Sequence, residues 1–303
     1  MSPTNPWHRL GHRPQTAPSG VARRRYAQRL FQLVVLVLVV VPGGCEFAPD
    51  QGPGYGTGGT GPGHRPQRLA LSPEEELEVG RQAYREVLSE FRGRILPADS
   101  EEVKRARAVA SRIAQTTRIR PLLREINIVP QVEGYPFEWE VNVVRKDDIN
   151  AFALPTGKII VFDGLLKFAR DDDELAAVLG HEIAHALAHH ASERIAREQA
   201  TGGGLGGIFG SLKFDRQQES EADHIGAFLM TFAGYNPDGA VRFWRRMEEA
   251  GTGGQIPEIL SDHPSHAHRL RDLEQWAQAA RAGKKKFDAG EVVKDREGPI
   301  SQR

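Results

Sequence analysis

Apolar side chains recur at helical spacing over most of this chain and alternate in one short region. Ser72-Pro73-Glu74-Glu75-Glu76 predicts a helix start, with Ser72 as N-cap, Pro73 in the first turn and Glu75 placed for a capping box. Val103, Ala106, Ala110 and Ile113 predict a second helix from about residue 99. The period then changes. Phe137, Trp139, Val141 and Val143 alternate with polar residues, and Ile159-Ile160-Val161-Phe162 is another β-rich run, so a small sheet is expected. Asp171-Asp172-Asp173-Glu174 next opens a helix whose body is almost wholly apolar, the mark of a buried helix. Further helices are predicted around 219–232, 237–250 and 264–281. Together these elements predict an α+β domain over 72–282, mainly helical, with one small β-sheet beside the acid-capped helix.

Ahead of this domain, residues 51–67 are dense in Gly and Pro and hold no aliphatic side chain, so the stretch 45–71 reads as a tether. Residues 1–44 have the parts of an export signal: an Arg-rich start, the apolar run 30–41 interrupted only by Gln32, and then Pro42-Gly43-Gly44-Cys45. The apolar run is short for a membrane span. Cys45 is the only cysteine, which excludes an intramolecular disulfide. Its place after two small residues resembles a bacterial lipobox, with Pro42 standing where that pattern has an aliphatic residue. Lipidation of Cys45 is expected, with a cleaved signal or an uncleaved single anchor as alternatives. Within the domain, the Gly-rich run 201–210 reads either as a flexible connection or as a mobile lid. Residues 283–303, with Lys284-Lys285-Lys286, are expected to form a flexible tail.

At 303 residues, 39% apolar and 26% charged, the composition is that of a globular protein. The balance of 40 basic against 40 acidic residues hides an asymmetry. Six of the basic residues are Arg within 1–44, where there is no acid, leaving 34 basic against 40 acidic in the remainder. That mildly acidic remainder gives no support to nucleic-acid binding.

The chemistry concentrates in His181-Glu182-Ile183-Ala184-His185, an HExxH pattern. On a helix, positions i and i+4 share a face, so His181 and His185 can present two imidazole nitrogens to one Zn²⁺. Glu182 then lies beside the metal without ligating it and can take a proton from water that the metal acidifies, which is peptidase chemistry. Two His and a Glu in a buried helix are costly unless something satisfies them, and a metal does so. A catalytic zinc takes a third protein ligand. The metzincin continuation requires Gly at 188 and His at 191, where this chain has Ala188 and Ala191. In Glu219-Ser220-Glu221-Ala222-Asp223, by contrast, Glu219 and Asp223 share a helical face. Glu219 is assigned as the third ligand and Asp223 as the acceptor that orients a ligand imidazole. Glu221 points elsewhere and reads as a surface charge.

HEIAH followed by ESEAD resembles the gluzincin metallopeptidases of family forty-eight, the HtpX and CAAX prenyl protease superfamily. Two further segments carry the resemblance: residues 150–161, similar to that family's NAFALPGG region, and Asp262-His263-Pro264 with Arg269, similar to its HPxxxxR element. The resemblance implies a gluzincin domain holding one zinc per chain through His181, His185 and Glu219, with Glu182 as general base and Asp223 orienting a ligand. It also implies that His263 either stabilises the oxyanion or fills the open metal position in a latent state. Because no apolar run of about eighteen follows residue 45, the chain is similar to the soluble envelope branch, the BepA-like and LoiP-like periplasmic proteases. A helical repeat array after the HP element is not expected.

The stretch Ala151, Phe152, Ala153 and Leu154 is the candidate edge strand for receiving an extended peptide by β-augmentation, although Phe152 and Leu154 also fit a core. That mode reads backbone, which suits unfolded or misassembled protein substrates. The function expected is a zinc metalloendopeptidase of protein quality control on the periplasmic side of a bacterial envelope, joined to a membrane by a lipid or signal anchor. The alternative is a non-proteolytic envelope lipoprotein that binds misfolded chains or assembly partners over a latent metal site.

Overall fold

The computed structural model describes residue 62 and residues 65–200, 214–252, 257–264 and 268–291. Cys45, the 1–44 signal and the Gly-rich run 201–210 lie outside the described residues. In chain order the elements are α1 (Pro73–Glu90), α2 (Glu101–Thr116), α3 (Arg120–Glu125), α4 (Val129–Val132), β1 (Glu140–Val144), β2 (Ala151–Ala153) and β3 (Lys158–Phe162). They continue with α5 (Asp163–Phe168), α6 (Asp172–Leu187), α7 (His190–Ala200), α8 (Arg216–Phe232), α9 (Asp238–Thr252), α10 (Glu258–Asp262) and α11 (Arg269–Asp288). This is an α+β domain, mainly helical with one small sheet, as the hydrophobic pattern predicts.

Local sequence sets the helix starts. Ser72 Oγ accepts from the Glu75 amide while the Glu75 carboxylate accepts from the Ser72 amide at 2.8 Å, closing the capping box of α1. Asp171 caps α6 by accepting from the Glu174 amide at 2.8 Å, and three acids follow at the positive end of the helix dipole. From Glu174 to Leu187 every residue of α6 is buried, because α2, α8 and α9 all pack against it. Its closest neighbour is α8. A Cβ on Gly226 would stand 2.9 Å from the His181 backbone nitrogen and 3.0 Å from the Gly180 carbonyl carbon, so the two backbones approach as only glycine allows. Glu219, Asp223 and Gly226 follow at helical spacing, and the glycine contact therefore brings both carboxylates onto the HExxH helix.

The sheet has the order β1-β3-β2, with β1 parallel and β2 antiparallel to β3. Central β3 is buried except at Lys158, as expected of a strand covered on both faces. Phe137 and Trp139 stand ahead of β1 rather than in it. Backbone pairing there is to the β2–β3 turn, through the Glu138 amide to the Thr156 carbonyl at 2.7 Å, and their rings stack at 5.0 Å. Edge strand β2 lies against α6.

Three boundaries differ from expectation. Residues 65–71, placed in the tether, lie pinned on α7: the Ala70 and Leu71 amides donate to Ser192 Oγ at 3.1 Å each. The last helix begins at Arg269 instead of 264, because α10 ends at Asp262 and His263 turns with φ −119 and ψ 81. It also runs through Lys284–Lys286 to Asp288, past the boundary at 282. Gly283 continues that helix against Phe228, and Lys284 pairs with Asp288 one turn later at 2.7 Å. Among the described residues, no helix is long and apolar enough to cross a membrane.

Candidate metal centre

Four side chains from three parts of the chain converge in the interior: His181 and His185 on α6, Glu219 on α8, and His263 after α10. One donor atom from each lies within 4.8 Å of the others. His181 Nε2 stands 3.0 Å from His185 Nε2, 3.1 Å from His263 Nδ1 and 3.4 Å from Glu219 Oε2. Glu219 Oε1 stands 3.0 Å from His263 Nδ1 and 3.5 Å from His185 Nε2. Donors around a tetrahedral zinc at its usual bond lengths are separated by roughly 3.3 Å, so the spacing fits that ion. Glu219 Oε2 is buried and has no hydrogen-bond partner among the described residues. An orphaned carboxylate oxygen beside imidazole lone pairs is a set of acceptors that a cation satisfies.

The surroundings fix which atoms face inward. His181 Nδ1–H donates to Asp223 Oδ1 at 2.9 Å, which turns Nε2 to the other donors. Burial lowers this imidazole, but Asp223 and Glu219 outweigh it and raise it to about 9 in the metal-free protein, so a metal at Nε2 would take the place of a proton. Arg269 Nη2–H donates to the same Asp223 oxygen at 2.8 Å, and the guanidinium lies 3.3 Å over the Trp244 ring. Burial opposes ionisation of Asp223, but Arg269 and His181 outweigh it and hold the carboxyl below its ordinary range. Burial likewise opposes ionisation of Glu219, yet the imidazoles of His263, His181 and His185 hold it well below the usual carboxylate value. His185 is pushed well below the ordinary imidazole value, chiefly by burial, which keeps it in the neutral form a metal requires.

Glu182 sits one residue from the cluster and is raised by burial, partly offset by His263 and His181. Its Oε2 accepts from the Ala153 amide at 3.2 Å, and its Oε1 stands 3.4 Å from His263 Nε2. The Asn150 carbonyl accepts from the Phe162 amide and the Leu154 amide donates to Lys158, so even positions bond into the sheet. Alternation then turns the backbones of Ala151 and Ala153 to the outer edge. The side chains behave differently: Ala151 and Leu154 are buried, and Phe152 meets Phe162 edge-on at 6.2 Å between centroids.

One expectation is corrected. Glu221 is no surface charge: its side chain is 11% exposed, accepts from Arg65, and meets His190 Nε2 at 3.1 Å. The opposite face of α8 is covered by α7 and by the segment before Ser72, which helical periodicity alone does not reveal. Other residues at the centre carried no assignment from sequence. Arg269 ends the HPxxxxR element, which by itself gives it no role, and nothing in the sequence marks Trp244 or Phe214. Phe214 stacks on His185 with ring centroids 4.0 Å apart.

Two imidazoles from an HExxH helix, a carboxylate from a later helix and an unligated glutamate beside them are the composition of a gluzincin metallopeptidase centre. The comparisons agree with that class. This chain belongs to peptidase family M48, a family of zinc-dependent metallopeptidases, whose model matches residues 114–203 and 199–277. It is 34% identical over 236 residues to the Mitochondrial metalloendopeptidase OMA1 of Schizosaccharomyces pombe, covering 72% of this chain and 66% of that protein. To the Arabidopsis thaliana protein of the same name it is 38% identical over 152 residues, 45% of this chain and 31% of the other. The Beta-barrel assembly-enhancing protease of Escherichia coli (strain K12) is 27% identical over 167 residues, 46% of this chain and 34% of that one. The chain thus spans less than two thirds of the first two relatives' lengths.

Proposed function

We propose that this chain is a zinc-dependent metalloendopeptidase that cleaves extended segments of unfolded or misassembled proteins. The observation that carries the reading is the convergence of His181, His185, Glu219 and His263 donors next to a non-ligating Glu182. In it, His181, His185 and Glu219 hold the metal, and Asp223 keeps His181 in the tautomer that leaves Nε2 free. A zinc held by these residues would supply Lewis acidity to a water and to the scissile carbonyl. Glu182 takes the proton, and its bond to the Ala153 amide sets its orientation. A substrate strand adding along Ala151 and Ala153 would lie beside Glu182 and would displace the bonds that these two amides make in the free protein, to Asn150 Oδ1 at 2.9 Å and to Glu182 Oε2 at 3.2 Å. This recognition mode favours unfolded chains over one fixed sequence.

His263 supports a latent form of the same centre. With its Nδ1 3.0 Å from Glu219 it stands among the donors that would hold the metal, and it could serve as a fourth ligand. Moved away from Glu219, the same imidazole can donate to the oxyanion of the reacting carbonyl. The test measures zinc and cleavage together. About one zinc per chain and casein hydrolysis that o-phenanthroline abolishes and added zinc restores are expected. Bound zinc without cleavage under any condition would instead favour the non-proteolytic lipoprotein that binds misfolded chains.

The setting proposed is the periplasmic side of a bacterial envelope, with Cys45 lipidated. Its support is the Arg-rich start, the apolar run 30–41 and Gly43-Gly44-Cys45, together with similarity to an Escherichia coli protease. The OMA1 relatives carry a mitochondrial name, so the setting does not follow from family membership. In bacterial cells, Cys45→Ser should move the protein from the membrane fraction to the soluble fraction; unchanged fractionation would remove the lipid anchor.

A further inference from the structure

A metal-bound histidine normally donates its second ring N–H to a fixed acceptor, which sets its tautomer and its angle at the metal. His181 has such an acceptor in Asp223. His185 has no carboxylate there: its Nδ1 meets Nδ1 of His190 at 2.9 Å. Of two imidazoles in contact through one proton, the group at the far end decides which nitrogen carries it. His190 Nε2 faces Glu221 Oε2 at 3.1 Å, and an ionised carboxylate only accepts. His190 therefore keeps its proton on Nε2 and offers a lone pair at Nδ1. His185 Nδ1–H donates to that lone pair, which leaves His185 Nε2 turned to the metal donors.

Glu221 is itself fixed from outside the helices. Arg65 Nε and Nη2 donate to its two oxygens at 2.5 and 2.7 Å, and the same guanidinium binds Glu193 at 2.5 and 2.8 Å. A planar fork between two carboxylates permits one orientation of each. Arg65 precedes the first helix, and Gln67 fastens the segment by donating to the Ala188 carbonyl at 2.6 Å, just beyond the end of the HExxH helix.

We propose that His190, Glu221 and Arg65 form a positioning relay for His185, so that docking of the 65–71 segment sets how tightly the centre holds zinc. The relay makes the segment 65–71, ahead of the first helix, part of the metal site. None of the three touches substrate; they act through the angle and tautomer of His185. The inference rests on the reading of His185 as a ligand.

The experiment uses the full chain with Glu221→Gln, Arg65→Gln and Arg65→Lys, each measured for zinc affinity by chelator competition and for the visible spectrum of the cobalt(II)-loaded protein. Glu221→Gln and Arg65→Gln should weaken zinc by about 10–100-fold, the usual effect of losing such an outer partner. Their cobalt bands should shift, because those bands report ligand geometry. Arg65→Lys keeps the charge without the fork and should fall between these and the wild type; it serves if the other two fail to fold. Zinc affinity within twofold of wild type and an unchanged cobalt spectrum overturn the relay, even if the urea midpoint falls, since that pattern belongs to a structural staple. A wild-type chain that binds no zinc removes the reading of His185, and the relay with it.

Discussion

Glu182→Gln should lower kcat on an unfolded substrate by about 10²–10⁴-fold, the usual contribution of a positioned general base, with zinc content unchanged. Glutamine keeps the length of the side chain, and its carbonyl oxygen can still accept the Ala153 amide that binds Glu182 at 3.2 Å. What it loses is the capacity to take a proton. Because Glu182 is not among the four converging donors, metal affinity has no reason to move. In the proposed strand-edge mode the substrate contacts do not depend on the charge of Glu182, so KM should change little while kcat carries the loss, the signature of an interaction made in the transition state. The folded protein should be no less stable, since burial already disfavours the ionised carboxylate. Cleavage within tenfold of wild type would remove Glu182 from the base role. Loss of zinc together with activity would make it a ligand or a support of one.

The residues legible from periodicity alone are those whose partners lie within one helix turn; His263, 44 residues from Glu219, is reached only through the resemblance of its HP element. His181 and His185, and Glu219 and Asp223, are i,i+4 pairs, so the faces they share follow from helix geometry before any packing is known. The buried α6 was legible for the same reason, its acids at the start and apolar residues throughout. Partners distant in sequence were not. Glu221 lies two residues from both Glu219 and Asp223, hence on the opposite face of α8, and periodicity equates that face with solvent. The covering comes from Arg65, 156 residues away. His190 was hidden by a local break: α6 stops at Leu187 and His189 takes φ 51, a left-handed turn that brings His190 back to His185. Without that turn the run of histidines reads as more helix. Pro264 read as a helix start, yet the chain turns at His263 to bring its imidazole to Glu219, and α11 waits until Arg269.

That delayed start places Arg269 under the centre, and Arg269→Met should destabilise the metal-free protein by about 3 kcal/mol, the lower end of the range for breaking a buried ion pair. Methionine is unbranched and apolar, so it retains much of the packing against Trp244 that the guanidinium makes at 3.3 Å. The lost part is charge. Asp223, buried and bonded by Arg269 at 2.8 Å, is left with the His181 imidazole, and Glu219 loses a cation 3.8 Å away. The lower end applies because Arg269 Nε and Nη1 are themselves buried without hydrogen-bond partners among the described residues, a cost that the substitution relieves. Urea denaturation after chelator treatment measures the change, since bound zinc would add its own linkage. Adding Asp223→Asn in the same chain should recover much of the loss: its amide oxygen still accepts from His181 Nδ1–H, and one uncompensated charge is gone. A loss below about 1 kcal/mol for Arg269→Met alone, the scale of an exposed pair, would mean that Arg269 does not balance the charge of the centre.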